Sequence, residues 1–314
     1  MMSAIRRVIV ILGPTACGKT AMSVALARRL NGAVISADSR QVYRGLDIGS
    51  GKDLEEYVTG GEPVEAHLLD IADPAAAEPY TLADFMRDAK RAIVELVSRG
   101  KVPILCGGTG LYLHALIRGY ELPGGPADRE FRRGLREEDR QRLAETLAGR
   151  YDLSNGEDNN LYRLSRKMEI ESNRTFSPYG GPLENTEYLV LGALRPRPEI
   201  HRRIEARLDE RLAHGMLDEI QNLHDEHQVS WEKLESFGLE YREVSRYLRG
   251  MMEFGEMRNH LLAKIRQFAK RQDTWFRKMR KEGVEIHWLP PEDLDSAERL
   301  CREFLNAKSG QDAV

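Results

Sequence analysis

The stretch that decides the fold runs from Val8 to Leu30 and reads VIVILGPTACGKTAMSVALARRL. Its first five residues are apolar and mostly β-branched, a pattern typical of a strand buried on both faces of a parallel sheet. The octapeptide Gly13–Thr20 then satisfies every fixed position of the phosphate-binding pattern G-x-x-x-x-G-K-[ST]. The residues after it repeat apolar positions at helical spacing, so the octapeptide lies between a predicted strand and a predicted helix.

This context predicts a P-loop that binds phosphate. Glycines let backbone N–H groups converge on phosphate oxygens, and the N-terminus of the following helix adds positive potential. Lys19 supplies a positive charge, and the Thr20 hydroxyl is the candidate ligand of Mg²⁺. The pattern is typical of ATP-binding and other nucleotide-binding proteins, but a leaving pyrophosphate would use the same loop. The predicted phosphate-binding residues are Gly13, Pro14, Thr15, Ala16, Cys17, Gly18, Lys19 and Thr20.

Three more short apolar runs are each followed by turn residues and then by a helical pattern. They are Ala33–Ser36, His67–Ile71 and Val102–Cys106, and a last run, Val284–Leu289, is predicted to return to the sheet edge. Strands that alternate with helices predict an α/β fold, a P-loop-type doubly wound parallel sheet. Ligands of such sheets bind at the carboxyl ends of the strands. Asp70 is a candidate strand-end acid there.

The chain is predicted to consist of a core and an insertion. Residues 120–194 are charged, poor in strand signals and punctuated by PGGP, NGEDNN and PYGGP, which favours a small helical inserted lobe. Residues 1–119 and 195–314 are predicted to form the α/β catalytic core, with C-terminal helices.

Composition narrows the class of protein. The 47 Lys and Arg residues against 50 Asp and Glu residues give a net charge of −3, so any case for nucleic-acid binding must come from local patterns. Cys17, Cys106 and Cys301 have no paired spacing, which argues against disulfides and zinc and fits a reducing compartment. No apolar stretch approaches the roughly 20 residues of a membrane span. We expect a cytoplasmic, globular monomer with no membrane association.

Two further loops are predicted at the same edge of the sheet as the P-loop. Asp38, in ISADSRQVYRGLDIGSGK, falls where a strand-end side chain points into the cleft, although an Asp-Ser pair taken alone favours a helix N-cap. Gly107–Gly110 (GGTG) follows the run PILC and, taken alone, is equally consistent with a tight turn.

Together these segments resemble one family, the tRNA dimethylallyltransferases. The matching pieces follow the order of the family and span nearly the whole chain. They are GPTACGKT, ISADSRQVYRGLDIGSGK, HLLDIADPAAAEPYTLADFMRDA, PILCGGTGLYLHAL and IRQFAKRQDTWFR, with weaker matches in RLSRKMEI and RRIEARLDERLAHGMLDEI.

The resemblance implies transfer of a dimethylallyl group from dimethylallyl diphosphate to the N6 amine of the adenosine adjacent to the anticodon, with release of pyrophosphate. Lys19 and Thr20, with Mg²⁺, would stabilise the leaving pyrophosphate, and Arg207 would help to hold the diphosphate. Asp38 would accept a proton from the amine, and Thr109 would lie near the acceptor nucleotide.

The resemblance also implies that the anticodon stem-loop of tRNA is the partner. Cations interleaved with aromatic residues in 265–281 suit phosphates and unpaired bases, but they also suit an amphipathic helix with aromatic residues in the core. The implied tRNA-binding residues are Asp38, Ser39, Arg40, Gln41, Thr109, Tyr162, Arg163, Arg166, Lys270 and Arg271.

Some positions depart from the family pattern and leave alternatives open. Tyr162 stands for a usual glutamine, IGSGK replaces the commoner IGTAK, and Ile265 stands for a usual threonine. These changes affect the segments that would meet RNA more than those that carry the chemistry. The alternatives are an adenylate isopentenyltransferase acting on free AMP, ADP or ATP, a P-loop small-molecule kinase, and an RNA-binding protein with a relict P-loop.

Overall fold

The chain divides into two compact units in the structure, a computed structural model that describes residues 5–58, 62–122, 134–136, 138–148, 161–172 and 177–307. The first unit comprises Met1–Ile117 and Leu183–Val314, and the second comprises Arg118–Pro182.

The first unit is built on a six-stranded sheet in the order β3-β2-β4-β1-β5-β6, in which every neighbouring pair is parallel. The predicted doubly wound α/β fold is therefore confirmed. Because β2, β4 and β1 are neighbours and parallel, the loops that follow them leave the sheet at one edge. The strands are β1 (Arg6–Leu12), β2 (Gly32–Ser36), β3 (Ala66–His67), β4 (Val102–Gly107), β5 (Thr186–Ala193) and β6 (His287–Leu289).

The helices of the first unit begin directly after the strand-end loops or form a layer in the second half of the chain. Among the described residues, no helix combines the length and the apolar composition that a membrane span requires. These helices are α1 (Lys19–Arg29), α2 (Glu55–Val58), α3 (Leu82–Ser98), α4 (Gly110–Arg118), α7 (Arg197–Ala213), α8 (Met216–Asp225), α9 (Trp231–Ser236), α10 (Leu239–Leu248), α11 (Phe254–Lys281) and α12 (Leu294–Asn306), and those of the second unit are α5 (Asp139–Leu147) and α6 (Leu161–Ser172).

Two apolar clusters hold the first unit together. One packs α1 and α12 on the sheet, and Ile9, Leu26 and Cys301 belong to it. The other joins α7, α8, α10 and α11 to the loop that follows β2, with Tyr43 and Leu208 among its members. The second cluster therefore fixes the C-terminal helices, and the side chains they carry, against the edge of the sheet where ligands bind.

Two predicted boundaries are wrong. The predicted insertion of residues 120–194 extends too far, because β5 lies within the sheet and pairs with β1. Its charged beginning, Thr186–Glu187, hides a strand whose last five residues are all buried. The predicted strand His67–Ile71 stops at His67, since Leu68 and Asp70 adopt positive φ values of 62° and 55°, which turn the chain away.

The second unit has a small core of its own. Leu143 and Leu147 of α5 pack with Leu164 of α6. Its two ends meet where Gly119, at φ 61°, lies against Pro182, so closely that a side chain on Gly119 would approach the proline nitrogen to 2.5 Å. The glycine therefore allows the chain to leave and re-enter the sheet unit at neighbouring points.

Candidate active site

The P-loop has the strand–loop–helix geometry that its sequence predicts. Gly18 caps α1 in the left-handed region, at φ 97°, and Ala16 is also left-handed, at φ 61°. The Lys19 ammonium makes one long hydrogen bond, 3.4 Å to the Pro14 carbonyl, and has no carboxylate partner among the described residues. Its charge is thus available to an anion held by the loop.

Two arginines from outside the loop hold its carbonyl groups. Arg203 Nε donates to the Ala16 carbonyl and Arg195 Nε to the Cys17 carbonyl, both at 2.9 Å. Arg195 is itself fixed by an ion pair with Glu199. A carbonyl held in this way cannot turn toward an anion, so these contacts keep the loop in a conformation suited to phosphate. The prediction from sequence did not include either arginine.

Asp38 lies at the end of β2 and organises the second loop. Its Oδ1 accepts hydrogen bonds from the backbone N–H groups of Arg40, at 2.8 Å, and Gln41, at 3.4 Å. The cap-like alternative raised by the sequence is therefore present in the structure. Since the described hydrogen bonds of Asp38 all end on Oδ1, the other carboxylate oxygen keeps its capacity to accept.

The GGTG loop after β4 is a point of close packing. A side chain on Gly107 would lie 2.6 Å from the Ala37 carbonyl carbon, and one on Gly110 would lie 2.5 Å from Trp275 Cγ. Between them, the Thr109 hydroxyl accepts a hydrogen bond from the Ser39 N–H, at 3.1 Å. The glycines thus let the loop approach both the Asp38 segment and α11, which is more than a tight turn requires.

Gln272 of α11 joins the P-loop to the GGTG loop. Its Oε1 accepts a hydrogen bond from the Thr15 N–H, at 2.8 Å, and its Nε2 donates to the Gly108 carbonyl, at 2.9 Å. The side chain is buried, so both bonds are shielded from water. With the Thr109–Ser39 bond, Gln272 completes a chain of contacts from the P-loop to Asp38. The sequence offered no signal for this role beyond its place in the matching segment IRQFAKRQDTWFR.

Replacing Gln272 with methionine is expected to lower kcat about 10-fold, because two buried hydrogen bonds that align the loops would be lost. Turnover of the variant should be measured beside that of Gln267→Met, which changes an exposed glutamine on the same helix. An equal effect of both substitutions, or none at Gln272, would contradict the alignment role.

One cleft, of about 320 Å³, collects most of the predicted site residues. Phe237, Ile265 and Phe268 give it an apolar wall next to the charged loops. The exposed Lys270 does not line it. The predicted residues that line the cleft are Thr15, Lys19, Thr20, Asp38, Ser39, Arg40, Gln41, Thr109, Arg207 and Arg271.

A second cavity, of about 670 Å³, shares Lys19, Thr20 and Arg207 with the cleft. It is rich in charges of both signs, and Arg207 forms an ion pair there with Asp53. The P-loop cations therefore face two connected groups of lining residues.

The predicted strand-end acid, Asp70, does not face this site. It forms an ion pair with the buried Lys52, which also contacts Asp47, because the turn after β3 directs the chain away. The carboxylates beside Thr20 in the 670 Å³ cavity are instead Asp53 and Glu56. Burial, with Asp53 nearby, raises the pKa of Glu56, and its Oε2 is buried without a hydrogen-bond partner.

The predicted RNA-binding residues outside the cleft lie in the second unit. Arg166, on α6, forms an ion pair with Glu169 at 2.9 Å. The side chains of Tyr162 and Arg163 lie outside the described part of the structure. In α11 both interpretations of the aromatic residues hold, since Phe276 is in the core while Phe268 lines the cleft.

Comparison with known proteins identifies the family. A family model described as IPP transferase matches residues 41–279, and one described as isopentenyl transferase matches residues 6–64. The chain is 42% identical to tRNA dimethylallyltransferase 1 of Syntrophus aciditrophicus (strain SB) over 309 residues, which cover 96% of the chain and 99% of the relative. The chain belongs to the tRNA dimethylallyltransferase family, as the sequence motifs predicted.

Further members of this prenyltransferase family match over similar lengths. tRNA dimethylallyltransferase 2 of Syntrophotalea carbinolica (strain DSM 2380 / NBRC 103641 / GraBd1) is 44% identical, covering 95% of the chain and 98% of the relative. The crystal structure of the full-length tRNA isopentenylpyrophosphate transferase from Bacillus halodurans superposes with a TM-score of 0.69 at 33% identity, covering 96% and 97% of the two chains. These matches favour a tRNA dimethylallyltransferase over the adenylate enzymes and kinases considered above.

Proposed function

We propose that this protein transfers a dimethylallyl group from dimethylallyl diphosphate to the N6 amine of the adenosine adjacent to the anticodon in tRNA. The observation that carries the proposal is the shared cleft, which places a phosphate-binding cation, Lys19, among the same lining residues as a carboxylate, Asp38. A leaving diphosphate and a nucleophilic amine need these two groups on either side of the reacting carbon.

The diphosphate of the donor would bind to the P-loop. Lys19 and Arg207 line the cleft and would hold the phosphate oxygens, while the helix α1 begins directly after the loop and favours negative charge there. The apolar wall, with Ile265 and Phe268, suits a five-carbon prenyl chain. As the bond between C1 and oxygen breaks, the electron pair leaves with pyrophosphate, and the cations stabilise that charge.

The residues beside the P-loop also fit Mg²⁺. Mg²⁺ is usually held by one or two protein oxygens together with substrate phosphates, so the absence of a cluster of three acidic, His or Cys ligands among the described residues agrees with such a site. Thr20 would supply its hydroxyl, and the unpartnered Oε2 of Glu56 lies in the same cavity. When bound, the ion would neutralise part of the charge of the pyrophosphate.

The acceptor adenosine would enter beside Asp38 and Thr109. Its N6 nitrogen forms the new bond to C1, and the proton that this nitrogen releases passes to Asp38. A base stacked in an RNA loop must first be unstacked, at a cost of a few kcal/mol. Phe268 and Arg271, which line the cleft, offer an aromatic face and a cation to neighbouring nucleotides.

The remaining tRNA contacts are assigned to the second unit, where Arg166, with Tyr162 and Arg163 from the matching segment, would bind the anticodon stem. The cleft is lined by residues of one chain, which supports activity as a monomer. Three free, buried cysteines are compatible with the cytoplasm, where we place this activity.

The deciding experiment offers labelled dimethylallyl diphosphate, with Mg²⁺, to bulk tRNA and to AMP side by side. Label is expected in tRNA and not in AMP. A matched control is an anticodon stem-loop in which the adenosine next to the anticodon is replaced by guanosine, which should accept none. Label in AMP alone would make the protein a free-nucleotide prenyltransferase, and label in neither would overturn prenyl transfer.

A further inference from the structure

The loop IGSGK contains a glycine that makes room for an arginine. Gly51 adopts φ 65°, and a Cβ atom built on it would overlap Arg211 Nη2 and lie 2.8 Å from Arg211 Cζ. The Gly51 carbonyl accepts a hydrogen bond from Gln41 Nε2, at 3.0 Å, so the loop cannot simply move aside. Where the commoner family form has alanine at this position, Arg211 could not keep the place it has here.

The Arg211 guanidinium is buried with little to neutralise it. Its side chain is 17% exposed, and the carboxylate within ion-pair distance is that of Asp53, at 3.8 Å, which is too far for a hydrogen bond. Asp53 is already paired with Arg207. Arg211 makes no side-chain hydrogen bond to any residue of the described ranges, and burial together with the nearby Arg207 lowers its pKa. A guanidinium with five donors in such a place is suited to an anionic ligand.

The position of Arg211 shows which anion it would meet. On α7, Arg203, Arg207 and Arg211 follow one another at intervals of four residues and therefore lie on one face of the helix. Arg203 contacts the P-loop carbonyl of Ala16, and Arg207 and Arg211 line both cavities that Lys19 lines. This row of cations therefore runs beside the phosphate-binding loop.

We propose that Arg211 is a second guanidinium ligand of the diphosphate of the donor, and that Gly51 is the residue that admits it. The proposal rests on the proposed function, because it assigns the P-loop to a diphosphate. Arginine binds phosphate oxygens through paired N–H groups, so Arg211 adds a directional contact to the point charge of Lys19. The glycine and the arginine therefore act as one unit, which increases the affinity of this protein for its donor.

The first test is the binding of inorganic pyrophosphate, with Mg²⁺, measured by calorimetry. Arg211→Met is expected to raise the Kd about 10-fold to 100-fold, as for a lost charge-assisted contact, and Arg211→Lys to have an intermediate effect. The KM for the donor should rise in parallel while the KM for tRNA stays unchanged, a split that a merely structural role would not produce. Unchanged pyrophosphate affinity in Arg211→Met would overturn the proposal, whereas a wild-type protein that binds no pyrophosphate would overturn the proposed function itself.

The second test is a double-mutant cycle with Gly51→Ala. In the wild-type background this substitution should weaken pyrophosphate binding about as much as Arg211→Met, and in the Arg211→Met background it should add little. Gly100→Ala is the matched control, since Gly100 has φ 67° with nothing within 4 Å of a built Cβ. It carries the same backbone strain, so it should lower the Tm and leave the Kd for pyrophosphate unchanged. Equal losses from Gly51→Ala in both backgrounds would refute the coupling.

Discussion

Replacing Lys19 with alanine is expected to lower the rate of prenyl transfer at least about 100-fold. The ammonium has no carboxylate partner among the described residues and lines the cleft beside Thr20, so its charge is free to stabilise the pyrophosphate as that group departs. This charge develops only as the bond to C1 breaks. The loss should therefore appear in kcat for both tRNA and donor titrations, and steady-state turnover of labelled donor measures it.

A lysine at the opposite edge of the sheet provides the control. Lys101 precedes β4 and forms an ion pair with Glu65, at 2.7 Å, so Lys101→Ala removes the same charge far from the strand-end loops. Its turnover should stay within a few-fold of wild type, because a surface ion pair contributes little. Equal turnover of the two variants would remove Lys19 from the catalytic site.

The features that the sequence predicted correctly are those encoded in short, continuous segments. The P-loop needs only Gly13–Thr20 between a strand and a helix, and the placement of Asp38 follows from the end of β2. Parallel neighbouring strands then bring both loops to one edge, which a strand–helix alternation is enough to predict.

The features that the sequence did not predict depend on contacts between distant positions. Gln272 contacts Thr15 across 257 positions, and Arg203 contacts Ala16 across 187. No local pattern encodes such pairs, since the helical layer could pack against the sheet in several registers with the same amphipathic faces. Asp70 failed as a predicted site residue for the same reason, because its partner Lys52 and the turn after β3 are set by tertiary packing.

Glycines show how the same residue type carries different information. The sequence identified the glycines of the P-loop because their spacing is a known pattern. Gly51 and Gly108 have no such pattern, and their meaning lies in the side chains of Arg211 and Gln272 that occupy the space of a Cβ atom. Only the folded chain shows which neighbour a glycine admits.

Asp38→Asn is expected to lower kcat at least about 100-fold while leaving the affinity for pyrophosphate unchanged. The sequence left two roles open for Asp38, a cap for the following turn and a proton acceptor. Asparagine keeps an acceptor oxygen for the N–H groups of Arg40 and Gln41, which both bond to Oδ1, but it cannot take the proton of the N6 amine.

The comparison with Asp38→Ala separates the two roles. Alanine removes the cap and the base together, so it should also lower stability, by about 1 kcal/mol, which thermal unfolding measures. If the cap alone mattered, Asp38→Asn would turn over near the wild-type rate and only Asp38→Ala would fail. If the base matters, both variants lose turnover and only the alanine variant loses stability, because the hydrogen bonds at Oδ1 and the proton transfer are different demands on one carboxylate.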